Sequence, residues 1–221
     1  MEIDRSWLRI MGLAGVLGGL ALFAGDMLFY YSSAGTDLQL NMGGASDARI
    51  IASGVAGLVG TWLYVVGAGQ VFQAFKTTTA LVRNTVTACF VAIFIAYGIV
   101  HGAYIAIATS ARLSVGYQID METATALAVQ ANNTLRLLIY PIFALLSYVF
   151  ITRVWSRKTL YPRWMILFFP LIPFLFQGLI SRSLSGSVWI VIVGGFFNLI
   201  LVVFFAASTI ALWGPGPDST G

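Results

Sequence analysis

Three residues in this chain sit where their chemistry is costly: Asp26, His101 and Arg136, each inside an apolar run. A charged side chain at the bilayer centre costs about 2.5–3.5 kcal/mol on insertion scales, so it marks a partner, a water-filled cavity or a function. Each has polar or aromatic neighbours at helical spacing. Asp26 and Tyr30 are i, i+4; Tyr97, His101 and Tyr104 are i, i+4 and i+7; Asn132 or Asn133, Arg136 and Tyr140 follow the same rule. Each set therefore shares one helix face. The chemistry on offer is an Asp26–Arg136 ion pair, a histidine of the kind that carries protons near neutral pH, and tyrosine walls with apolar bodies and polar tips.

The elements that must position these residues follow from composition. The chain has 221 residues, 59% of them hydrophobic and only 9% charged, with mean hydropathy +0.89. Soluble domains carry about 25% charged residues, so the sequence predicts an all-α, multi-pass membrane protein. A span needs about 20 mostly apolar residues. Six segments qualify, at roughly 7–31, 49–75, 84–110, 125–152, 162–183 and 186–213. They predict a single integral membrane domain over 1–213, a six-transmembrane-helix bundle, followed by a polar tail over 214–221. The first segment has a signal-peptide look, with Arg5 and Arg9 before the apolar run and Ser33-Ala34-Gly35 after it. Its length and Asp26 favour a retained helix.

Basic residues set the expected orientation. Eight of them (Arg5, Arg9, Lys76, Arg83, Arg153, Arg157, Lys158, Arg163) fall on one side of this topology, and three (Arg49, Arg112, Arg182) on the other. Both termini are therefore expected in the cytoplasm, and the cluster at 153–163 could also touch anionic headgroups. On that topology Asp26, His101 and Arg136 reach similar depths in the outer half of the bundle at 1.5 Å per residue. Gln177 lies in the outer half as well, and Asn198 nearer the middle. The simplest arrangement points the three stripes at one cavity open to the outer side.

Several classes are excluded or disfavoured. The single cysteine, Cys89, rules out an internal disulfide and a cysteine metal cluster. One histidine cannot ligate a haem from two sides, and no lysine lies inside an apolar run to anchor a retinal. No metal site and no cofactor is expected. The net charge of +4 sits in short loops and does not suggest nucleic acid. Asn132-Asn133-Thr134 matches a glycosylation acceptor but falls inside a span. Gly15 and Gly19 form a GxxxG step, and Gly54, Gly57, Gly60 and Gly67 a small-residue stripe, which suit close helix contact within the chain or a homo-oligomer face. Pro141, Pro170 and Pro173 are expected to kink their helices. Trp7, Trp155, Tyr161, Trp164, Trp189 and Trp213 read as interfacial anchors.

The segment Gly25-Asp26-Met27-Leu28-Phe29-Tyr30-Tyr31, with His101-Gly102-Ala103-Tyr104, resembles uncharacterised six-helix membrane families of bacteria. These carry a GD-LLY step at the end of helix 1 and a His beside Gly on helix 3. The resemblance implies a bacterial inner-membrane protein and draws attention to Asp26 and His101, and it supplies no activity.

The residues lead to one preferred reading and two others. The preferred one is an intramembrane pocket that binds, senses or passes a small or amphiphilic ligand, lined by Asp26, Tyr30, Tyr97, His101, Tyr104, Asn132, Asn133, Arg136, Tyr140 and Gln177. The second is a membrane-embedded enzyme on a lipid-like substrate, with Asp26 or His101 as general acid or base. The third is an assembly subunit whose buried Asp–Arg pair is purely structural.

Overall fold

A computed structural model describes residues 4–32 and 35–213 of the chain. Ser33, Ala34 and the polar tail at 214–221 lie outside the described residues. Among the described residues every regular element is a helix. Helices α1 (Arg5–Tyr30), α2 (Leu38–Gly43), α3 (Asp47–Ala74), α4 (Ala80–Tyr117) and α5 (Met121–Leu137) each begin behind a residue that can cap a free backbone N–H. Asp4, Asp37, Ser46, Thr79 and Asp120 accept from Ser6, Leu40, Arg49, Val82 and Thr123 respectively. The short α2, within what the sequence offers only as a hydrophilic connection, folds back onto α1 and α4. Its Asn41 Nδ2 donates to Tyr30 O at 3.0 Å, closing the C-terminal end of α1.

The second half is more broken. α6 (Ile139–Trp155) follows α5 with a break at Leu138. Pro141 sits in the first turn of α6, where a missing N–H is tolerated. Then come α7 (Met165–Phe168), α8 (Leu171–Leu175), α9 (Gln177–Ser183), α10 (Gly186–Gly194) and α11 (Phe196–Trp213). Among the described residues five helices are long and apolar enough to cross a membrane: Arg5–Tyr30, Asp47–Ala74, Ala80–Tyr117, Met121–Trp155 and Phe196–Trp213. The expected span at 162–183 is instead three short helices. Pro170 is the N-cap of α8 and Pro173 lies within it, so two N–H groups are missing within one turn of chain. The backbone recovers through tight i, i+3 bonds, including Phe169 N to Ile166 O at 3.1 Å and Ile172 N to Phe169 O at 2.9 Å. At the other extreme, α4 runs for 38 residues. That is about 57 Å at 1.5 Å per residue, well beyond a hydrocarbon core of about 30 Å.

Lipid tails are as apolar as leucine, so close contact rather than hydrophobicity must hold these helices together. α1 and α3 achieve it through glycine. A Cβ on Gly18 would lie 2.8 Å from the Gly60 carbonyl oxygen, and one on Gly60 would lie 2.8 Å from that of Gly18. The open sides of Gly15 and Gly19 are filled by Phe205 and Val202 of α11. The glycine faces are thus used within the chain. An aromatic cluster then fills the centre. Phe169 stacks on Phe150 at 4.4 Å between ring centroids, Phe90 on Phe204 at 5.5 Å, and Tyr64 on Phe94 at 4.7 Å.

The two ends of the bundle differ in charge. Leu160 N donates to Ala74 O at 2.8 Å, and Thr77 Oγ1 to Lys158 O at 2.8 Å, joining the connection after α3 to the one after α6. Gln70 reaches Leu8 O at 3.0 Å, and Arg9 lies over the Trp213 ring. The eight basic residues that the sequence groups together therefore gather at this end. Arg49 and Arg112 sit at the opposite end, where Arg112 pairs with Asp47. Tyr161, expected as an interfacial anchor, is instead buried, its hydroxyl 2.7 Å from Ser208 Oγ. The loop that carries it folds inward against α11, and burial with only one polar partner pushes its phenol well above the usual range.

Candidate functional site

Asp26 on α1 meets α4 and α11 at mid-bundle. Its Oδ1 lies 3.1 Å from His101 Nδ1, and its Oδ2 accepts from Asn198 Nδ2 at 2.7 Å. Asn198 Oδ1 in turn accepts from the Tyr64 hydroxyl at 3.1 Å. His101 is seated in a notch made by two glycines. A Cβ on Gly57 would fall 2.3 Å from His101 Cδ2, and one on Gly25 would fall 3.0 Å from Nε2. On the far side of the ring, Nε2 lies 3.0 Å from Ser53 O and 3.1 Å from Ser53 Oγ. The chain Tyr64–Asn198–Asp26–His101–Ser53 links α1, α3, α4 and α11, and its members are all buried.

Ser53, His101 and Asp26 have the contact order of a hydrolytic triad, but the hydrogen-bond directions oppose that role. The nucleophile of a triad gives its proton to an imidazole nitrogen that holds a free lone pair. Here the Ser53 hydroxyl donates to Gly25 O at 2.8 Å. His101 Nε2 faces that committed oxygen and a backbone carbonyl, which only accepts, so Nε2 must carry hydrogen. The remaining Nδ1···Oδ1 contact is then bridged by a single proton, and the pair is neutral as a unit. Ser53 is also 0% exposed and does not border the cavity.

That cavity has a volume of about 250 Å³. Asp26, His101 and Asn198 form its floor. Tyr30, Tyr97, Tyr104, Arg136 and Gln177 add polar edges, and Phe174, Phe196 and Phe197 add apolar wall. Seven of the ten residues expected from the sequence thus border one space: Asp26, Tyr30, Tyr97, His101, Tyr104, Arg136 and Gln177. The other three do not. Asn132 is buried and spends its amide on Val100 O at 3.0 Å, tying α5 to α4. Asn133 and Tyr140 are exposed and border a shallower groove of about 640 Å³ along α5 and α6. Arg136 borders both spaces.

The expected Asp26–Arg136 ion pair does not form. Both carboxylate oxygens are already taken, one by Asn198 of α11, which packs directly on α1, and the other by His101, which reaches across from α4 through the notch at Gly25 and Gly57. Arg136 arrives on α5, which leans on α4 instead. The only carboxylate ion pairs among the described residues are His101–Asp26 and Arg112–Asp47. Arg136, half-buried beside Tyr30, Tyr97, Tyr104 and Tyr140, has neither a hydrogen bond nor an ion pair among the described residues. Three members of the polar network, Tyr64, Asn198 and Ser53, are not among the site residues expected from the sequence. Asn198 was visible as an amide in an apolar run. Ser53 had no signal beyond sharing the small-residue face of Gly57, Gly60 and Thr61. Among the described residues no three His, Cys, Asp or Glu side chains converge as metal ligands would.

Comparison with known proteins gives one match. The family model described as a family of unknown function, DUF6796, covers residues 2–213. No curated protein matches, and no solved structure matches. The chain belongs to DUF6796, and it is a multi-pass, all-helical membrane protein.

Proposed function

We propose that this DUF6796 protein binds or passes a small anionic or amphiphilic molecule in the cavity between α1, α4, α5 and the broken wall α8–α10. The observation that carries this reading is Arg136. A guanidinium beside a cavity of about 250 Å³, with no ion-pair partner among the described residues, is a positive charge that an anionic ligand would pair. The volume lies just under the roughly 300–1,000 Å³ of common ligand sites, which suits a headgroup or a small acid. In this reading Arg136 takes the anionic group, bidentate if it is a carboxylate or phosphate. Tyr30, Tyr97, Tyr104 and Gln177 fix its orientation, and Phe174 and Phe197 cover its apolar part.

Orientation and location belong to the same proposal. The gathering of eight basic residues at one end supports cytoplasmic termini under the positive-inside rule. The cavity, at the level of Asp26 and Arg136, would then open towards the outer face of a bacterial inner membrane. Thiol labelling of cysteines placed at the exposed positions 36 and 157 tests this: 36 should react with an impermeant reagent from outside and 157 should not.

A second reading is favoured by a different observation. All polar atoms of the Asp26–His101 pair have partners within the chain, so this pair serves as a structural tie rather than as an acid–base couple. The two readings divide the site between them. Native mass spectrometry with lipid extraction of the purified protein is the deciding experiment. Wild type should retain an anionic small molecule or amphiphile, and Arg136→Gln should retain at least about tenfold less, as loss of a charged hydrogen-bond partner implies. Equal retention by both would remove Arg136 from the site.

A further inference from the structure

At the basic end of the bundle, far from the Arg136 cavity, the two joined connections enclose a second space of about 360 Å³. Its border includes Arg153, Arg157 and Lys158 together with Thr77 and Thr79, and it contains no carboxylate. Among the described residues none of the three cations forms an ion pair, and Arg153 Nε is buried without a hydrogen-bond partner. Like charges crowded in this way repel unless an anion joins them. We propose that this cradle binds a phosphate group, carried either by an anionic lipid headgroup or by a soluble phosphate compound.

Four features agree on that chemistry. The first is the count of three cations against no acid at the rim. The second is α4, whose N-terminus opens on the space behind the Thr79 cap and adds its positive dipole end to the three side-chain charges. The third is the way the cations are held. Arg153 stands on the last turn of α6, and Arg157 and Lys158 stand on the loop after it, which is tied to the connection between α3 and α4: Thr77 Oγ1 donates to Lys158 O, and Leu160 N to Ala74 O. The fourth is Arg157 itself. Its φ of 55° is the left-handed conformation that usually belongs to glycine just past a helix C-terminus. An arginine kept there favours a role for its side chain over backbone ease. Trp155 and Trp164 are exposed beside the loop, as side chains at headgroup depth are. A lipid phosphate would meet the cradle at that depth, and a soluble phosphate would reach it from the adjoining water.

The test uses the full chain in nanodiscs of phosphatidylcholine, with thermal stability as the readout. One arm titrates inorganic phosphate, and the other incorporates graded phosphatidic acid. Stabilisation by inorganic phosphate assigns a soluble ligand; stabilisation by phosphatidic acid alone assigns a headgroup. In whichever arm responds, Lys158→Gln and Arg157→Gly should each weaken binding about tenfold, the loss expected for one charged contact. Arg157→Gly should do so without lowering Tm in the absence of phosphate, because glycine suits the backbone there. Thr77→Val, which removes the loop tie and no charge, should also weaken binding. If neither arm stabilises the protein, no phosphate site exists here. If Lys158→Gln weakens binding while Thr77→Val and Arg182→Gln differ from it only as charge count dictates, the attraction is diffuse surface charge and the built cradle is refuted.

Discussion

Asp26 and Arg136 border the same cavity and carry opposite charges, yet the fold treats them in opposite ways. Asp26 is 6% exposed and has both oxygens answered, by His101 and by Asn198. Arg136 is half-buried and has no hydrogen bond from the chain. The difference teaches how to divide a polar cluster in a membrane protein. A buried group whose partners are complete holds helices together, since removing any one member strands the others. A group left incomplete beside a space is free to serve something that arrives. The sequence pairs the two charges because their depths match. The fold separates them because Asn198 of α11 and His101, reaching over from α4, already supply what a carboxylate needs.

The largest effect should come from emptying the complete half. Asp26→Ala strands the buried His101 Nδ1 and the Asn198 amide without their shared partner, and unfolding in detergent should show a loss of roughly 3–5 kcal/mol. A loss under about 1 kcal/mol would mean that the network ties nothing. Next comes a change that spares every polar atom. In Gly57→Ala the new methyl lands in the His101 seat, so overpacking should lower stability by about 1–3 kcal/mol. An unchanged Tm would show that the ring moves freely and that its hydrogen bonds are replaceable.

Asp26→Asn sharpens the protonation argument. The amide can donate to Nδ1 and still accept from Asn198, so a neutral pair predicts a loss of only about 1 kcal/mol. Combined with Arg136→Gln, it should add within about 0.5 kcal/mol, as uncoupled sites do. Strong coupling in that cycle would restore the ion pair. Arg136→Gln alone should shift stability by no more than about 0.5 kcal/mol, because no hydrogen bond or ion pair among the described residues is lost; its consequence belongs to ligand retention.

The smallest effect calibrates the contrast at the surface. Asp120 also has its bonds complete, but in water. Backbone and hydroxyl donation from Thr123 holds its carboxyl below the ordinary 3.8. A depressed folded value means that the cap stabilises α5 above the ordinary value and fades as pH falls through the lowered one. Amide exchange at Thr123 should accelerate on that acid side, and Asp120→Ala should abolish the pH dependence.

Much of this was legible in the chain, for identifiable reasons. Apolar runs of span length mark α1, α3 and α4, because length and hydropathy are local properties. The convergence of Asp26, His101 and Tyr104 was legible because depth and helical face both follow from residue number. The Asn198–Asp26 bond was not, since it depends on which helix lies beside α1, and hydropathy carries no neighbour information. Asn133 and Tyr140 fall on the flank of α5 and α6 that borders the outer groove rather than the cavity, and residue spacing alone does not say which flank of a helix meets its neighbours. The segment at 162–183 read as one span because its prolines are apolar enough to leave the hydropathy uninterrupted.

That broken segment has a consequence for how the protein is made. A helix that satisfies its own backbone can enter lipid alone, but a stretch with missing donors needs protein around it. The wall α7–α9 finds this shelter in Phe169, which lies against Phe150 of α6 and Phe204 of α11. Because α11 is synthesised after it, the wall has no complete lodging until the final crossing has left the ribosome. Phe174 and Gln177 of that wall close the Arg136 cavity. The cavity is therefore a late product of biogenesis, and a nascent chain halted before Phe196 would hold its first four crossings without one.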